Sequence, residues 1–225
     1  MVFWKDLSFA LSLIPKELLK TLYMVGLSFV LSSIIGFSLG LFCIIANAKN
    51  GYLKKINSGI QLLLNFLSSV PFSVLIVFLF PLTRLIVGTS LGATASVVPL
   101  TIGMIPFVTR LVAETCLPVY RYFREAALSL GSSSSQTVFR IVLPECLPSL
   151  IAGLKSIVVS VIGLSALAGF VGGGGLGQLI MQYGYYRFNP FVVVLVLIVT
   201  LILVETTNFI GNVLMNHILK KRGLL

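Results

Sequence analysis

Five long apolar stretches divide the sequence, and they constrain its fold more than any other feature. They cover residues 18–46, 58–87, 93–112, 150–170 and 190–214. Each is at least as long as the roughly 20 residues that an α-helix needs to cross about 30 Å of hydrocarbon. Because backbone polar groups inside a bilayer must bond to one another, each stretch predicts a helix. The sequence therefore predicts an all-α, polytopic membrane protein with five transmembrane helices.

Composition supports this fold class and argues against others. The chain has 225 residues, of which 57% are hydrophobic and 10% charged, with a mean hydropathy of +1.08. These values are too apolar for an average soluble domain. The net charge of +10 comes from short basic clusters beside apolar stretches. This pattern favours membrane orientation over nucleic-acid binding. Three cysteines lack a paired or metal-ligand spacing: Cys43, Cys116 and Cys146.

The stretches differ in their interruptions and in their small residues. We expect Pro71 and Pro81 to kink the second span, and Pro99 and Pro106 to break the third. The fourth span is rich in serine, glycine and alanine, which suits either close helix packing or a path for a solute. We further predict an interfacial N-terminal segment at 1–17, one transmembrane domain at 18–214 with a polar loop at 115–149, and a basic cytoplasmic tail at 215–225.

The polar loop contains two predicted short helices. The first, residues 120–130, should end at Gly131 in a left-handed C-cap. Ser133 and Gln136 have the spacing of a capping box that starts the second helix. Pro144 should limit this helix, because the residue before a proline disfavours helical dihedral angles.

Basic residues predict the orientation of the chain. If the polar loop is cytoplasmic, eleven of the sixteen Lys and Arg residues lie inside and five outside. This asymmetry obeys the positive-inside rule and places the N-terminus outside and the C-terminus in the cytoplasm.

The loop also resembles the EAA loop of permease subunits of bacterial ABC importers, which docks into a cleft on a cytoplasmic ATPase. The positions that carry this resemblance, and that it implies for coupling to the ATPase, are Glu125, Ala126, Ala127, Gly131, Ile141, Leu143 and Pro144. Their spacing matches the family pattern throughout.

Further runs are similar to the methionine-uptake permease family. They include residues 69–72, 81–84, 98–100, 165–169 and 172–177. The resemblance implies a five-span type I ABC importer permease fold in the bacterial cytoplasmic (inner) membrane. It also implies a homodimer, two cytoplasmic ATPase subunits, and an extracytoplasmic substrate-binding lipoprotein that delivers methionine. Leu130 and Leu167 stand where the family commonly has methionine, a swap of similar volume that packing should tolerate.

Alternating access is the mechanism we expect, with the two fourth spans parting around Ser160, Leu164 and Leu167. We predict no catalytic site, metal or cofactor, because no nucleophile, base and orienting group fall together and no phosphate loop is complete. ATP hydrolysis is therefore expected in a separate subunit, and the protein itself should not be an enzyme.

Other functions remain open from the sequence. A permease for another small amino acid or nutrient is the main alternative, because a coupling loop does not specify cargo. An ion-coupled secondary transporter should have several buried ionisable groups, whereas Glu205 is the one acid deep within a span. We favour a hydrogen-bonded structural role for Glu205 beside Thr206 and Thr207. The glycine run at 172–177 predicts a flexible connection or a close helix contact.

Overall fold

A computed structural model describes residues 2–47 and 51–221, and side chains from residue 12 onward. Within those ranges the chain forms helices, turns and bends only. The α-helices are α1 (Val2–Asn47), α2 (Tyr52–Ser69), α3 (Phe72–Phe78), α4 (Phe80–Val87), α5 (Ala93–Ser129), α6 (Ser134–Thr137), α7 (Leu143–Ala168), α8 (Gly175–Leu179) and α9 (Pro190–Lys221). Most side chains of the predicted interfacial segment at 1–17 and the last residues of the predicted basic tail at 215–225 lie outside the described part of the chain.

Four helical segments among the described residues are long and apolar enough to cross a membrane. They are Ser12–Asn47, Ala93–Ser129, Ser134–Gly173 and Pro190–Lys221. Helices α2 and α3, sharply bent at the break between them, form a fifth candidate when counted as one broken span. This count agrees with the five predicted spans. Helices α1 and α9 run without a break through the predicted boundaries at residues 17 and 214, so those boundaries stay a prediction.

Prolines affect the helices differently from one position to the next. The predicted interruption at Pro71 is present, since α2 ends before it and α3 begins after it. Pro81 lies at the start of α4, where a missing N–H costs little. The prediction for the third span was wrong, because α5 continues through both Pro99 and Pro106. In a membrane helix, neighbouring groups and local adjustments can satisfy the carbonyls that proline frees.

The chain divides into two compact units, and the first comprises Met1–Val30, Pro71–Gly103 and Val158–Asn208. Its apolar core brings together α1, α8 and α9. The buried members of this cluster are Ile14, Leu176, Leu179, Val192 and Val196. The glycine-rich segment therefore packs against two long helices.

Side chains of α1 bind the beginning of α8. The Gly175 N–H donates to Glu17 Oε2 at 2.8 Å, and the Leu176 N–H donates to Thr21 Oγ1 at 2.9 Å. Lys20 Nζ donates to the other oxygen of Glu17 at 2.7 Å. The first amides of a helix have no partner within it, so α1 supplies the acceptors that α8 lacks. The sequence predicted either a flexible connection or a close helix contact for the glycine run at 172–177. The structure shows the close helix contact.

Gly175 is required at this contact for two reasons. Its φ of +76° is rarely adopted by other residues, and an added Cβ would lie 2.6 Å from Thr21 Oγ1.

The second unit comprises Leu31–Val70, Met104–Ile157 and Phe209–Leu225. Its core joins the end of α1 to α5, the loop and the start of α7. The buried members are Leu41, Ile44, Val112, Cys116, Tyr120, Val138, Val142, Cys146 and Leu150. Gly36 and Gly40, four residues apart on α1, form a close contact with α5. A Cβ on either would lie 2.6 Å from the Cβ of a valine, Val108 or Val112 respectively.

We expect Gly40→Ala to destabilise the protein, whereas Gly26→Ala on the same helix should not. The added methyl group of Gly40→Ala meets Val112, and overpacking of this kind costs about 1–3 kcal/mol. At Gly26, no atom lies within 4 Å of the position that an added Cβ would take. There alanine gains up to about 1 kcal/mol of helix propensity. The measurement is the temperature at which half of the detergent-purified protein loses its monodisperse peak, and equal values for both variants would contradict the contact.

Candidate functional site

The first half of the EAA-like loop ends α5 with a fully bonded cap. Helix α5 ends at Ser129, and Gly131 has a φ of +77°. The Ser132 N–H donates to the Ala127 carbonyl and the Gly131 N–H to the Leu128 carbonyl, both at 2.9 Å. This pair of bonds defines a Schellman motif. The predicted left-handed C-cap at Gly131 is confirmed, but the predicted short helix at 120–130 was wrong, because these residues are the end of the 37-residue α5.

The second half begins with the predicted capping box. The Gln136 N–H donates to Ser133 Oγ at 3.3 Å, and the Ser133 N–H donates to Gln136 Oε1 at 2.9 Å. Helix α6 then passes into a π-helical turn, Val138–Val142, and directly into α7. The expectation that Pro144 limits this helix was wrong. Pro144 falls in the first turn of α7, just after the wider π turn, where a missing N–H is tolerated.

The loop is anchored to its unit by buried apolar side chains. Val138 and Val142 have no exposed surface, and Tyr120 is 3% exposed. The Cys146 thiol donates to the Thr115 carbonyl at 3.5 Å, which joins α7 to α5. Two caps and a packed base therefore hold the loop in one conformation.

The predicted coupling residues separate into exposed and packed positions. Glu125, Ala126 and Gly131 are exposed. Ala127 is buried, and its carbonyl accepts the Schellman bond. The others are partly buried: Ile141, Leu143 and Pro144. The motif thus contributes both to a surface and to its support.

Three exposed side chains of the loop were not assigned a role from the sequence. Leu130 is 86% exposed, Tyr122 81% and Phe139 54%. All three belong to the polar loop, outside the predicted spans, and apolar surface of this kind marks a protein–protein contact where it forms a contiguous patch. Because Leu130 touches little, its replacement of methionine does not affect packing, contrary to the reason we gave for tolerating it. Its place directly before the cap glycine is the feature that could have identified it.

The three predicted pathway residues share one face of α7. Ser160 and Leu167 are exposed and Leu164 is partly buried. The opposite face is packed, and the buried Ser165 hydroxyl donates to the Ile162 carbonyl at 2.7 Å. Helix α7 thus has one narrow open face and one packed face.

Polar groups elsewhere in the spans are bonded in ways that the sequence did not suggest. The hydroxyls of Thr206 and Thr207 donate to carbonyls one turn back on α9, while Glu205 is exposed. Glu17 and Thr21, which hold α8, were also missed. Their one-turn spacing at the start of an apolar span was the only available sign.

Comparison with known proteins agrees with this architecture. A family model described as "Binding-protein-dependent transport system inner membrane component" matches residues 32–223. The chain is 37% identical over 201 residues to a probable D-methionine transport system permease protein of Vibrio cholerae, covering 88% of this chain and 89% of the relative. It is 38% identical over 168 residues to a methionine import system permease protein of Bacillus subtilis, covering 75% and 76%.

A solved structure gives the same result for the fold. A chain of the MetNI methionine ABC transporter in an inward-facing conformation matches with a TM-score of 0.84 and 35% identity, covering 92% of this chain and 97% of that chain. The expected type I ABC importer permease fold is thereby confirmed. This protein is a multi-pass membrane protein that belongs to the family of inner membrane components of binding-protein-dependent transport systems.

Proposed function

We propose that the protein is the permease subunit of an ATP-driven importer that carries methionine across the bacterial inner membrane. One observation carries the proposal: relatives named for methionine transport match most of this chain at 37% and 38% identity. The chemistry is compatible with this cargo, because methionine has a flexible apolar thioether and charges that cancel.

The coupling loop is proposed to dock into a separate ATPase subunit, which performs the hydrolysis. The exposed Leu130, Phe139 and Tyr122 would supply apolar contact, while Glu125 and Ala126 lie on the helix that leads to the cap. Because two caps fix its conformation, the loop can pass a movement of the ATPase on to the transmembrane helices without deforming itself. Two ATPase subunits beneath a homodimer, with the N-terminus outside and the C-terminus in the cytoplasm, complete the proposed assembly.

The open face of α7 is the proposed pathway. Ser160, Leu164 and Leu167 would line it in each of the two copies. A small, mildly polar face suits a solute that is released and not retained. Affinity would then reside mainly in the extracytoplasmic binding protein.

Uptake of labelled methionine into vesicles tests the proposed function. The vesicles contain this chain with its ATPase partner, and the binding protein and internal ATP are added or omitted. We expect uptake only when all components are present, competed by excess methionine. Uptake by this chain alone, driven by an ion gradient, would overturn the proposal. ATPase binding without methionine uptake would retain the class and reject the cargo.

Gly131→Val should uncouple ATP hydrolysis from uptake. No atom lies within 4 Å of the Cβ position, so the disturbance comes from the φ of +77° and not from a collision. Gly131→Asn should be milder, since asparagine tolerates this conformation. We expect Gly131→Val to reduce uptake per ATP at least tenfold.

A matched control exists at Gly88. It caps α4 with a φ of +85° and equally open surroundings. Gly88→Val carries the same strain outside the loop and should keep coupling intact. Equal uncoupling in both variants would count against a lever role for the loop.

Leu167→Cys should react with a cationic methanethiosulfonate reagent at a rate that changes when ATP is added. The three natural cysteines are buried and should react slowly. Leu197→Cys on α9 is the control, because its side chain is 55% exposed on an apolar helix that we place against lipid. A thiol that faces lipid stays protonated, so the thiolate that reacts with the reagent does not form at position 197. Identical rates at both positions, unaffected by ATP, would contradict a pathway along this face of α7.

A further inference from the structure

A cleft in the second unit is lined by residues of α1, α2 and α5 and shares none of them with the coupling loop. It has a volume of about 240 Å³. This is smaller than the roughly 300–1,000 Å³ of clefts that hold drug-sized ligands, so it suits a smaller molecule. Its polar lining comes from Gln61 and Asn65 on α2 and from Thr109, Arg110 and Glu114 on α5. Arg110 and Glu114 are the first charged side chains along α5.

Arg110 reaches across the cleft toward α2. Its Nη2 lies 3.4 Å from Asn65 Oδ1 and 3.5 Å from Ser68 Oγ. Both distances are at the long limit for hydrogen bonds. A guanidinium has five N–H donors, so most of them remain available to a ligand.

Glu114 lies one helical turn from Arg110, yet the two charges do not pair. Among the described residues, an ion pair with an N–O distance of 2.7 Å joins Lys20 to Glu17, whereas none within 4.0 Å joins Arg110 to Glu114. Opposite charges four residues apart commonly stabilise a helix by pairing. Here both side chains are exposed and stay apart, beside a cleft at the polar end of the third predicted span.

The remaining lining of the cleft is apolar. Cys43 on α1, Leu64 on α2, and Pro106 and Ala113 on α5 complete it. Cys43 and Leu64 are buried, with 2% and 9% exposure. Apolar walls with a few fixed polar groups are the usual form of a small-molecule site. The cleft therefore offers one cation, one anion and an apolar surface within a small volume.

We propose that this cleft binds a zwitterionic α-amino acid with an apolar side chain. Arg110 binds the carboxylate, Glu114 binds the ammonium group, and the apolar walls contact the side chain. The inference rests on the proposed function for the identity of the cargo. It adds a resting site on the permease itself, in which each charge of the ligand has its own partner.

The test measures binding of labelled methionine to the purified complex of permease and ATPase, without binding protein. We expect saturable binding that is competed well by methionine. Methionine amide, which lacks the carboxylate, and N-acetylmethionine, which lacks the ammonium group, should compete at least tenfold less well. Equal competition by all three would overturn the proposal without any mutation.

Variants then assign each charge. Arg110→Gln should weaken the binding of methionine at least tenfold. It should leave the binding of methionine amide unchanged, because the amide has no carboxylate for Arg110 to bind. Glu114→Gln should have the corresponding effect with N-acetylmethionine. Arg110→Lys and Glu114→Asp keep the charges and should weaken methionine binding less than Arg110→Gln and Glu114→Gln do, with an intermediate affinity for Arg110→Lys because lysine lacks the planar guanidinium fork. Arg84→Gln and Glu205→Gln are matched charge-loss controls outside the cleft.

Failure of this inference is distinguishable from failure of the proposed function. Intact uptake of methionine by the complete wild-type system, with no saturable binding to the permease–ATPase complex, would reject the cleft and keep the function. Unchanged binding in both Arg110→Gln and Glu114→Gln would do the same. Uptake of a different solute would reject the cargo.

Discussion

The requirement that every backbone polar group find a partner within the protein shapes this chain more than any other constraint. Within an apolar environment, backbone groups inside a helix bond to one another. Backbone N–H and C=O groups lack partners only where a helix starts or ends. At Gly131 and Ser133 the partners are local, since one cap follows another within a few residues. At α8 they come from far along the chain, because Glu17 and Thr21 accept the first two amides. Each irregular segment persists because its backbone is bonded.

Small residues meet a second requirement, the close approach of helices. Lipid is as apolar as leucine, so helices in a bilayer gain little by hiding leucine from it and associate through close packing. Gly36 and Gly40 bring α1 against α5 at distances that a methyl group would prevent. In the other unit, Gly175 does the same for α8 against Thr21. Each of these glycines thus has a specific neighbouring atom, which determines how much a larger side chain would destabilise the protein at that position.

Features that depend on neighbouring residues were predictable from the sequence, whereas contacts between distant residues were not. The five spans follow from apolar length, and the caps at Gly131 and Ser133 follow from local residue preferences, so these predictions were confirmed. The breaks expected at Pro99, Pro106 and Pro144 were wrong, because α5 continues through the first two and Pro144 lies in the first turn of α7. The bond from Gly175 to Glu17 joins residues 158 positions apart, which no local pattern encodes. The exposure of Leu130 was missed, since apolar character alone suggests burial and only its position before the cap glycine argued otherwise.

That exposure has a consequence for the biosynthesis of the protein. In the proposed orientation, a newly inserted subunit would present Leu130 and Phe139 to water until an ATPase subunit covers them. Exposed apolar side chains of this kind promote self-association and are recognised by chaperones and proteases. Coverage by a tightly bound subunit would remove this liability at the same moment as it completes the transporter. In the proposed assembly, the surface that docks on the ATPase would then also control the stoichiometry, since unpartnered copies would be the ones most readily degraded.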